Sequence, residues 1–352
     1  MRTPNPKVDY GKFLDAMWEL HKAPRAADAP TVISTFAGCG GSSLGYSMAG
    51  FHELLAVEWD GHAVECFKLN FPGVPVYHGD ISKLSVEDVL SRTGLKPGEL
   101  DVFDGSPPCQ GFSTAGKRNL DDNRNQLFRE YVRLIEGLRP KVFVMENVSG
   151  MVKGKMKLLF AEILRTLKAC GYQVSARLLN AMYFNVPQSR ERMIFIGVRN
   201  DLGIMPSHPG AQGSPINVVD ALERIGNATF NSPLAATATA IWKNIRPGQK
   251  GTAYRPGYYM SSAKIDPTKP GPTIPKIMPG TGGLMHWSEQ RSLTIEEAKR
   301  LGSFPDGFRL RGKFVDQWAR IGNSVPPLMM KAVAEHIRRS ILVQVLERSR
   351  AA

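Results

Sequence analysis

The sequence has few cysteines and no long hydrophobic run, and both shortages limit what the protein can be. The four cysteines, Cys39, Cys66, Cys109 and Cys170, lie far apart in a chain of 352 residues. They show no paired spacing, which indicates reduced thiols and argues against a zinc cluster or a disulfide framework. No apolar run approaches the ~18 residues of a membrane span. The polar first 30 residues do not resemble an export signal, so we expect a cytoplasmic protein without a membrane anchor or a metal.

Acidic residues are also scarce relative to basic ones, with 32 against 45 and a formal net charge of +13. The imbalance is uneven, because residues 1–200 hold 25 basic and 21 acidic residues whereas residues 201–352 hold 20 and 11. A basic C-terminal portion indicates a polyanionic partner, with nucleic acid first and an anionic membrane second. The chain is long enough for one large domain and a smaller one.

Short apolar runs alternate with helix-like segments from residue 31 to residue 198. The predicted strands are Thr31–Phe36, Leu54–Val57, Val74–Tyr77, Leu100–Asp104, Lys141–Glu146, Gln173–Leu179 and Met193–Val198. The predicted helices between them are Ser43–Ala49, His62–Asn70, Val86–Leu90, Gln126–Gly137 and Lys157–Ala169. This alternation predicts an α/β fold with a Rossmann-like, doubly wound, mostly parallel sheet. Ligands bind such sheets beyond the carboxyl ends of the strands.

The pattern changes after the last of these strands. Residues 201–285 are rich in proline and glycine and show little periodicity, which predicts a small, loop-rich second domain. Helical patterning returns at Leu293–Leu301 and from Pro327 to Val345, and Tyr10–His21 near the N-terminus predicts an outer amphipathic helix.

A glycine-rich segment, Thr35-Phe36-Ala37-Gly38-Cys39-Gly40-Gly41, joins the first predicted strand to a helix. Glycines at such a turn let the backbone approach a ligand closely, and the helix N-terminus can face a negative group. A plain strand-to-helix turn is the alternative. The glycine spacing differs from the dinucleotide fingerprint and so argues against a pyrophosphate cofactor.

Acids follow the second and third predicted strands, at Glu58-Trp59-Asp60 and Gly79-Asp80-Ile81. A carboxylate at this place in such folds often holds a ribose. Trp59 is suited to stack on an adenine, and Asp80 is suited to accept from an amino group. Either acid alone also fits a helix cap or a solvated charge. Together with the glycines, they indicate a nucleoside cofactor such as S-adenosyl-L-methionine.

Cys109 follows the predicted strand Leu100–Asp104, in the segment Gly105-Ser106-Pro107-Pro108-Cys109-Gln110-Gly111-Phe112-Ser113. The two prolines fix φ and oppose a helix, so this cysteine is presented at a corner. A presented thiol can act as a nucleophile in its thiolate form. An ordinary small apolar role is the alternative.

The chain resembles the DNA (cytosine-5) methyltransferases of bacterial or phage type over residues 31–199 and roughly 286–345. The motifs occur in the order of that family, and each of them is modest evidence alone. They are Phe36–Gly41, Glu58–Asp60, Gly79–Ile81, Pro107–Ser113, Arg124–Phe128, Glu146–Val148, Val186–Arg192, Leu293–Phe308 and Gln317–Pro327. One departure is Ser34, where many members carry an aspartate.

The resemblance implies a methyltransferase fold dependent on S-adenosyl-L-methionine. Its catalytic domain would comprise residues 31–200 and 286–352, its target-recognition domain residues 201–285, and its N-terminal extension residues 1–30. The implied partner is double-stranded DNA, and the protein is expected to be a monomer near the nucleoid. The implied cofactor-binding residues are Phe36, Gly38, Gly40, Glu58, Trp59, Asp80, Ile81, Pro108, Leu127, Asn323 and Val325.

The implied catalytic residues are Cys109, Glu146, Arg190 and Arg192. The Cys109 thiolate would add to carbon 6 of a cytosine flipped out of the duplex, which raises the electron density at carbon 5. Glu146 would hold N3 and the 4-amino group, Arg192 would contact O2, and Arg190 would lie near the thiol and the backbone. The segment Ser113–Asn125 is expected to close as a lid. Without the family context, the acid fits a cap and each arginine fits a surface ion pair.

Residues 201–285 are expected to read bases in the major groove of DNA. The candidates for phosphate contacts are Lys243, Arg246, Lys250, Arg255, Lys264, Lys269 and Lys276, and the tyrosines expected to stack or wedge are Tyr254, Tyr258 and Tyr259.

Three other functions stay open at this point. The nearest is the same chemistry on transfer RNA, although the Cys-Phe-Thr tripeptide usual in that branch is absent. A catalytically silent DNA-binding protein on this scaffold is the second. A nicotinamide oxidoreductase is a distant third, disfavoured by the glycine spacing.

Overall fold

The structure is a computed structural model that describes residues 9–108, 123–152, 156–225, 234–278 and 282–351. The chain forms two compact units. The first, called the sheet unit, comprises Ala23–Asn180, Glu191–Gly210 and Met330–Ala352. The second, called the loop unit, comprises Met1–Lys22, Ala181–Arg190 and Ala211–Met329.

The sheet unit contains seven strands among its described residues. They are β1 (Thr31–Thr35), β2 (His52–Glu58), β3 (Val76–His78), β4 (Val102–Gly105), β5 (Val142–Val148), β6 (Tyr172–Asn180) and, after the two-residue strand β7 of the loop unit, β8 (Glu191–Arg199). Their order is β3-β2-β1-β4-β5-β8-β6, and only β8 runs against its neighbours β5 and β6. The predicted mostly parallel sheet is confirmed.

The helices of this part of the chain begin and end where local signals place them. For α4, Ser85 and Asp88 form a reciprocal capping box, and Gly94 at φ +71° ends the helix. Asp60 caps α3 by accepting from the Ala63 N–H. The helices are α2 (Gly41–Met48), α3 (Gly61–Asn70), α4 (Val86–Thr93), α5 (Asn123–Leu138), α6 (Met156–Ala169), α11 (Pro327–Ile337), of which the last turns belong to this unit, and α12 (Val343–Ala351).

The core of the sheet unit is built from the apolar strand residues and the inner faces of α4, α5 and α6. Ile33, Phe103, Phe143 and Phe195 lie on four adjacent or near-adjacent strands and are fully buried. Strands covered on both faces have near-continuous apolar runs rather than alternation, which is why the sequence pattern located them. The rigid sheet holds the carboxyl ends of β1, β2, β4 and β5 in fixed positions.

The loop unit has only short elements among its described residues. They are α1 (Tyr10–Lys22), β7 (Gln188–Ser189), α7 (Val218–Ala221), α8 (Ala236–Asn244), β9 (Ala263–Lys264), β10 (Gly271–Pro272), β11 (Leu284–Met285), α9 (Ile295–Leu301) and α10 (Phe314–Asn323). Parallel pairs form between β10 and β7 and between β11 and β9. A small core unites Ile241, Ile245 and Met285.

Two arginine–carboxylate pairs support this irregular unit. Arg291 makes two hydrogen bonds to the Glu297 carboxylate, at 2.8 and 2.7 Å, and both side chains are almost inaccessible. Arg300 pairs with Asp306 at 2.7 Å and also donates to the backbone carbonyl of Glu223. Such bidentate pairs fix geometry where few backbone ladders exist.

All seven predicted strands are confirmed, with ends that shift by up to two residues. The predicted helices are also present, although Pro327–Val345 continues through a π-helical turn at Arg338–Leu342 into α12. The sequence pattern did not predict α7, α8 and α10, because prolines and glycines nearby hide their periodicity. Residues 286–329 belong to the loop unit by their contacts, whereas the functional division predicted above assigns them to the catalytic domain. Among the described residues, no helix is long and apolar enough to cross a membrane.

Candidate active site

The turn from β1 to α2 carries the predicted cofactor glycines. Gly40 is the N-cap of α2 at φ +98°, and a Cβ there would lie 2.3 Å from Cε2 of Phe71. Gly38 also has a positive φ of +58°, but no atom of the described residues lies within 4 Å of where its Cβ would be. Phe36 has a φ of +54°, an uncommon conformation for a residue with a side chain. The turn is therefore tightly packed at Gly40 but not at Gly38.

Glu58, the last residue of β2, holds this turn in place. Its Oε2 accepts from the backbone N–H of Gly38 at 2.7 Å. Its Oε1 accepts from the N–H groups of Trp59 and Asp60, both at 2.9 Å. The sequence indicated a ligand contact for this carboxylate but not its structural bonds.

The predicted adenosine contacts lie next to this carboxylate in the sheet unit. The Trp59 side chain is 78% exposed, which is unusual for an indole in a folded protein. Asp80 caps the short helical turn Ile81–Lys83, with its Oδ1 accepting from the Ser82 N–H at 2.9 Å. That backbone hydrogen bond is the main reason why the pKa of Asp80 is lowered.

The remaining predicted cofactor residues of this unit differ in exposure. Ile81 is buried in the main core, and Phe36 and Leu127 pack half-buried against it. Pro108 is exposed at the end of the described segment after β4.

These residues fit a nucleoside. An ionised carboxylate has about four acceptor positions, and three at Glu58 are taken by N–H groups, which leaves one for a ribose hydroxyl. The exposed indole of Trp59 offers a face for a base, and Gly38 lacks a side chain that would keep a ligand away from the backbone. The N-terminus of α2 points its N–H groups at the same turn.

The second group of predicted residues meets on β5 and β8. Arg192 Nε lies 2.6 Å from Glu146 Oε1, and both side chains are nearly buried. The pairing follows from register: Glu146 is opposite Ile194, so Arg192, two residues away, is its diagonal neighbour on the same face. A second Arg192 nitrogen donates to the Glu191 carbonyl. The sheet thus aims a carboxylate with a fixed orientation from the carboxyl end of β5.

The segment that leads to Cys109 is tied to the same strand. The side-chain amide of Asn147 donates to the carbonyl of Pro107 at 3.1 Å. β4 and β5 are adjacent, with Gly105 opposite Met145. Cys109 itself and the predicted lid Ser113–Asn125 lie outside the residues whose side chains are described, so their roles stay predictions.

Three predicted site residues belong to the loop unit. Arg190 is 2% exposed and donates to the carbonyls of Ile274, at 3.0 Å, and Gly322, at 2.7 Å. Asn323 is the exposed last residue of α10, whereas Val325 is buried. Arg190 therefore ties the end of α10 to its own unit, and the proposed contacts of all three with cofactor or substrate stay predictions.

A buried acidic cluster, which the sequence pattern did not predict, lies between α2 and the sheet. Asp104 is opposite Ser34 in the β1–β4 pairing and accepts from the hydroxyl of Tyr46 at 3.2 Å. Glu53 accepts from the Ser43 hydroxyl at 2.8 Å, while its other oxygen has no hydrogen-bond partner among the described residues. Carboxyl groups beside the small Ser34 thus lie on both neighbouring strands. The available signal was an aspartate inside an apolar run.

Burial dominates the protonation of this cluster. It raises the pKa of Glu53 from its ordinary value of 4.5 to about 7, against the lowering effect of the serine hydroxyls. Burial also raises the pKa of Asp104 well above its usual range, and Glu53 and Glu146 add to the effect. Both carboxyl groups favour the neutral form in the folded protein.

The doubly wound sheet, the glycine turn and the acids at successive strand ends define a Rossmann-like methyltransferase fold of the S-adenosylmethionine-dependent type. Comparison with known proteins specifies the class further. The chain belongs to the C-5 cytosine-specific DNA methylases, because the model of that family matches residues 30–339. It is accordingly a DNA cytosine-5 methyltransferase.

Individual relatives agree with this assignment. The chain is 36% identical over 326 residues to the Type II methyltransferase M1.HphI of Haemophilus parahaemolyticus, covering 87% of this chain and 86% of the relative. It is 30% identical over 372 residues to M.XorII of Xanthomonas oryzae pv. oryzae, covering 89% and 85%.

Solved structures show the same fold. A crystal structure described as a DNA modification methyltransferase encoded within a prophage (E. coli) superposes with a TM-score of 0.73 at 26% identity, covering 91% of this chain and all of the other. The Spodoptera frugiperda DNMT2 superposes with a TM-score of 0.65 at 18% identity, covering 90% of this chain, which shows likeness of fold alone.

Proposed function

We propose that the chain methylates carbon 5 of one cytosine in a specific duplex sequence, through a transient covalent bond between Cys109 and carbon 6. The observation that supports this most directly is the orientation of the Glu146 carboxylate, which Arg192 contacts at 2.6 Å. Glu146 lies on β5, and β5 is adjacent to β4, the strand that leads to Cys109. A general acid–base site needs such a group with a defined direction and little competing water.

In this mechanism each residue has one task. The Cys109 thiolate would form a bond to carbon 6, while the Glu146 carboxyl gives a proton to N3 and accepts a hydrogen bond from the 4-amino group, so electron density moves to carbon 5. Arg192 keeps the Glu146 carboxylate in place and contacts O2. Arg190 holds the adjoining backbone segment through its two carbonyl contacts. Carbon 5 would then take the methyl group, and its proton would leave to a base such as water. The Cys109–carbon 6 bond then breaks, which restores the thiolate, and the proton on N3 returns to Glu146.

The glycine turn and the acids beside it would hold the cofactor. Glu58 would accept from a ribose hydroxyl, Trp59 would stack on the adenine, and Asp80 would accept from its amino group, beside Phe36 and Gly38. S-adenosyl-L-methionine supplies an electrophilic methyl group on a sulfonium when bound. By resemblance to the family, Asn323 and Val325 would also contact the cofactor.

The target cytosine has to leave the base stack, because stacking covers both faces of carbon 6. The segment Ser113–Asn125 would close over it, and residues 201–285 would act as the target-recognition domain beside a catalytic domain of residues 31–200 and 286–352. The curated relatives are Type II methyltransferases, so we infer that this chain also modifies one defined DNA sequence, as a monomer at the nucleoid.

The test is transfer of a labelled methyl group from S-adenosyl-L-methionine to duplex DNA and, in parallel, to transfer RNA. We expect label in DNA cytosine only. Glu146→Gln should lower the rate by roughly 10²–10⁴-fold, the usual contribution of a positioned acid or base. Glu65→Gln, at an exposed position of α3, is the matched control and should retain the wild-type rate. Transfer only to RNA, or equal rates for the two variants, would refute the proposal.

A further inference from the structure

A long acid-free stretch lies within the loop unit. No aspartate or glutamate occurs from Arg224 to Ile265, whereas six lysines and arginines do. Four of these cations are exposed or partly exposed at the surface and form no ion pair among the described residues: Lys243, Arg246, Lys250 and Arg255. Lys264 differs, because it is buried against the Trp242 ring at 3.6 Å and donates to the Trp242 carbonyl. It is therefore unsuited to the phosphate contact predicted above.

Within this stretch, residues 251–262 form a closed loop, which we call the tyrosine loop. Its two ends meet where the Gly251 N–H donates to the Ser262 carbonyl at 2.8 Å. Tyr259, at a φ of +56°, packs on the small core around Ile241 and Met285. A Cβ at Gly251 would lie 2.5 Å from the Tyr259 Cβ, so the base of the loop is tightly packed. The loop is thus a rigid platform rather than a loose connection.

The tip of the tyrosine loop displays large side chains to solvent. Tyr254, Tyr258 and Met260 are all exposed, the last by 70%. The guanidinium carbon of Arg255 lies 4.0 Å from the centre of the Tyr258 ring. The Tyr258 N–H donates to the Arg255 carbonyl and closes the turn between them. Stacking fixes the plane of the guanidinium while its edge donors still point outward.

We propose that Arg255, held flat on Tyr258, recognises a guanine in the target sequence through two hydrogen bonds to its O6 and N7. The proposal rests on the role of residues 201–285 as the target-recognition domain. A planar guanidinium matches these two acceptors in the major groove, and this is the commonest base-specific contact in protein–DNA complexes. Loss of rotamer freedom on binding is small, since the stack already orders the side chain.

A phosphate would also accept two hydrogen bonds from arginine, but the surroundings of Arg255 favour a base. The Tyr258 ring places apolar surface against the guanidinium, and Tyr254 and Met260 expose further apolar surface on the same loop. Base edges and thymine methyl groups offer matching apolar surface, whereas a phosphate offers only charge and prefers polar, hydrated neighbours. Isolated cations such as Lys250 and Arg246 fit the phosphate role better.

The experiment begins with the full-length protein and variants expressed in cells that lack cytosine methylation, followed by bisulfite sequencing. The wild type defines the methylated sequence, which we expect to contain at least one guanine besides the target pair. Arg255→Lys keeps the charge but loses the planar fork, so the preference for guanine should fall at one position only. On purified duplexes, the rate ratio between guanine and adenine at that position should fall on the order of 10-fold to 100-fold.

Two controls separate base recognition from charge. Arg246→Lys changes an exposed arginine of the same acid-free stretch and should leave the recognised sequence unchanged. Tyr258→Phe keeps the ring under the guanidinium and should keep the preference, whereas Tyr258→Ala should weaken it in the same direction as Arg255→Lys.

The outcomes are distinguishable. An unchanged sequence preference of the Arg255→Lys variant overturns the inference. The inference also fails if Arg255→Ala binds all DNA sequences more weakly by the same factor and its binding depends less on salt, because that result marks a phosphate contact. A wild type that methylates no DNA cytosine would instead refute the proposed function. Residual methylation by the variants shows that they fold.

Discussion

Replacement of Glu53 by glutamine should change how the stability of the protein depends on pH. In the folded protein, burial raises the pKa of the Glu53 carboxyl from its ordinary 4.5 to about 7. Between these values the folded chain keeps a proton that the unfolded chain releases. The free energy of unfolding therefore falls as pH rises through this window, and the loss is complete above about pH 7.

The size of the effect follows from the same two values. The interval from 4.5 to about 7, at about 1.4 kcal/mol for each pH unit, corresponds to a penalty of about 3 kcal/mol at pH 8. Glutamine is neutral at every pH and nearly isosteric, so it carries no such penalty. Glu53→Gln should match the wild type near pH 5 and exceed it by up to about 3 kcal/mol at pH 8. Asp104 is also buried and interacts with Glu53, so the two carboxyl groups titrate together. This coupling would make the stability difference between Glu53→Gln and the wild type smaller.

Urea unfolding at pH 5, 6, 7 and 8, followed by fluorescence, measures this difference directly. Glu65→Gln is the matched control, because it removes the same carboxyl from an exposed position in the same unit. Its stability should follow the wild-type pH dependence. If Glu53→Gln shifts stability by the same amount at pH 5 and pH 8, the carboxyl is not neutral in the folded protein and the reasoning fails.

Two further predictions concern the cofactor turn. Trp59→Ala should weaken binding of S-adenosylhomocysteine by roughly 5-fold to 100-fold, as expected for one lost base stack, and Trp59→Phe should restore most of it; equal calorimetric affinities for all three proteins would contradict this. Gly40→Ala should lower the free energy of unfolding by about 2–4 kcal/mol. The cost of a left-handed backbone for alanine adds to the cost of a Cβ that lies 2.3 Å from the Phe71 ring. Gly38→Ala, whose Cβ would meet no atom of the described residues within 4 Å, should cost only about 1–2 kcal/mol. Urea unfolding of the two variants checks this ranking.

Much of the fold was predictable from the sequence, because strands covered on both faces must be apolar throughout. Residues such as Phe103 and Phe143 lie in runs that admit few other structures. The irregular part was less predictable. Helix α8, Ala236–Asn244, alternates alanine with the weaker helix former threonine and has no side-chain cap at its N-terminus, so its sequence carries little helical periodicity.

The site was predictable as residue types at strand ends but not as contacts. The sequence indicated a carboxylate at Glu58, yet its bond to the Gly38 N–H depends on how the turn folds back over β2. The pair of Glu146 and Arg192 depends on antiparallel register between β5 and β8, which no local pattern specifies. The raised pKa of Glu53 results from its burial in the folded structure, and no local sequence pattern predicts that burial.

The central claim is that Cys109 forms a covalent bond to a cytosine held by Glu146. A duplex that contains 5-fluorocytosine at the target position tests it, because fluorine at carbon 5 cannot leave as a proton does. With S-adenosyl-L-methionine present, we expect a stable protein–DNA complex whose peptide map places the nucleotide on Cys109, and none with Cys109→Ala. A complex that survives this substitution, or active methylation of ordinary DNA by the alanine variant, would contradict the account.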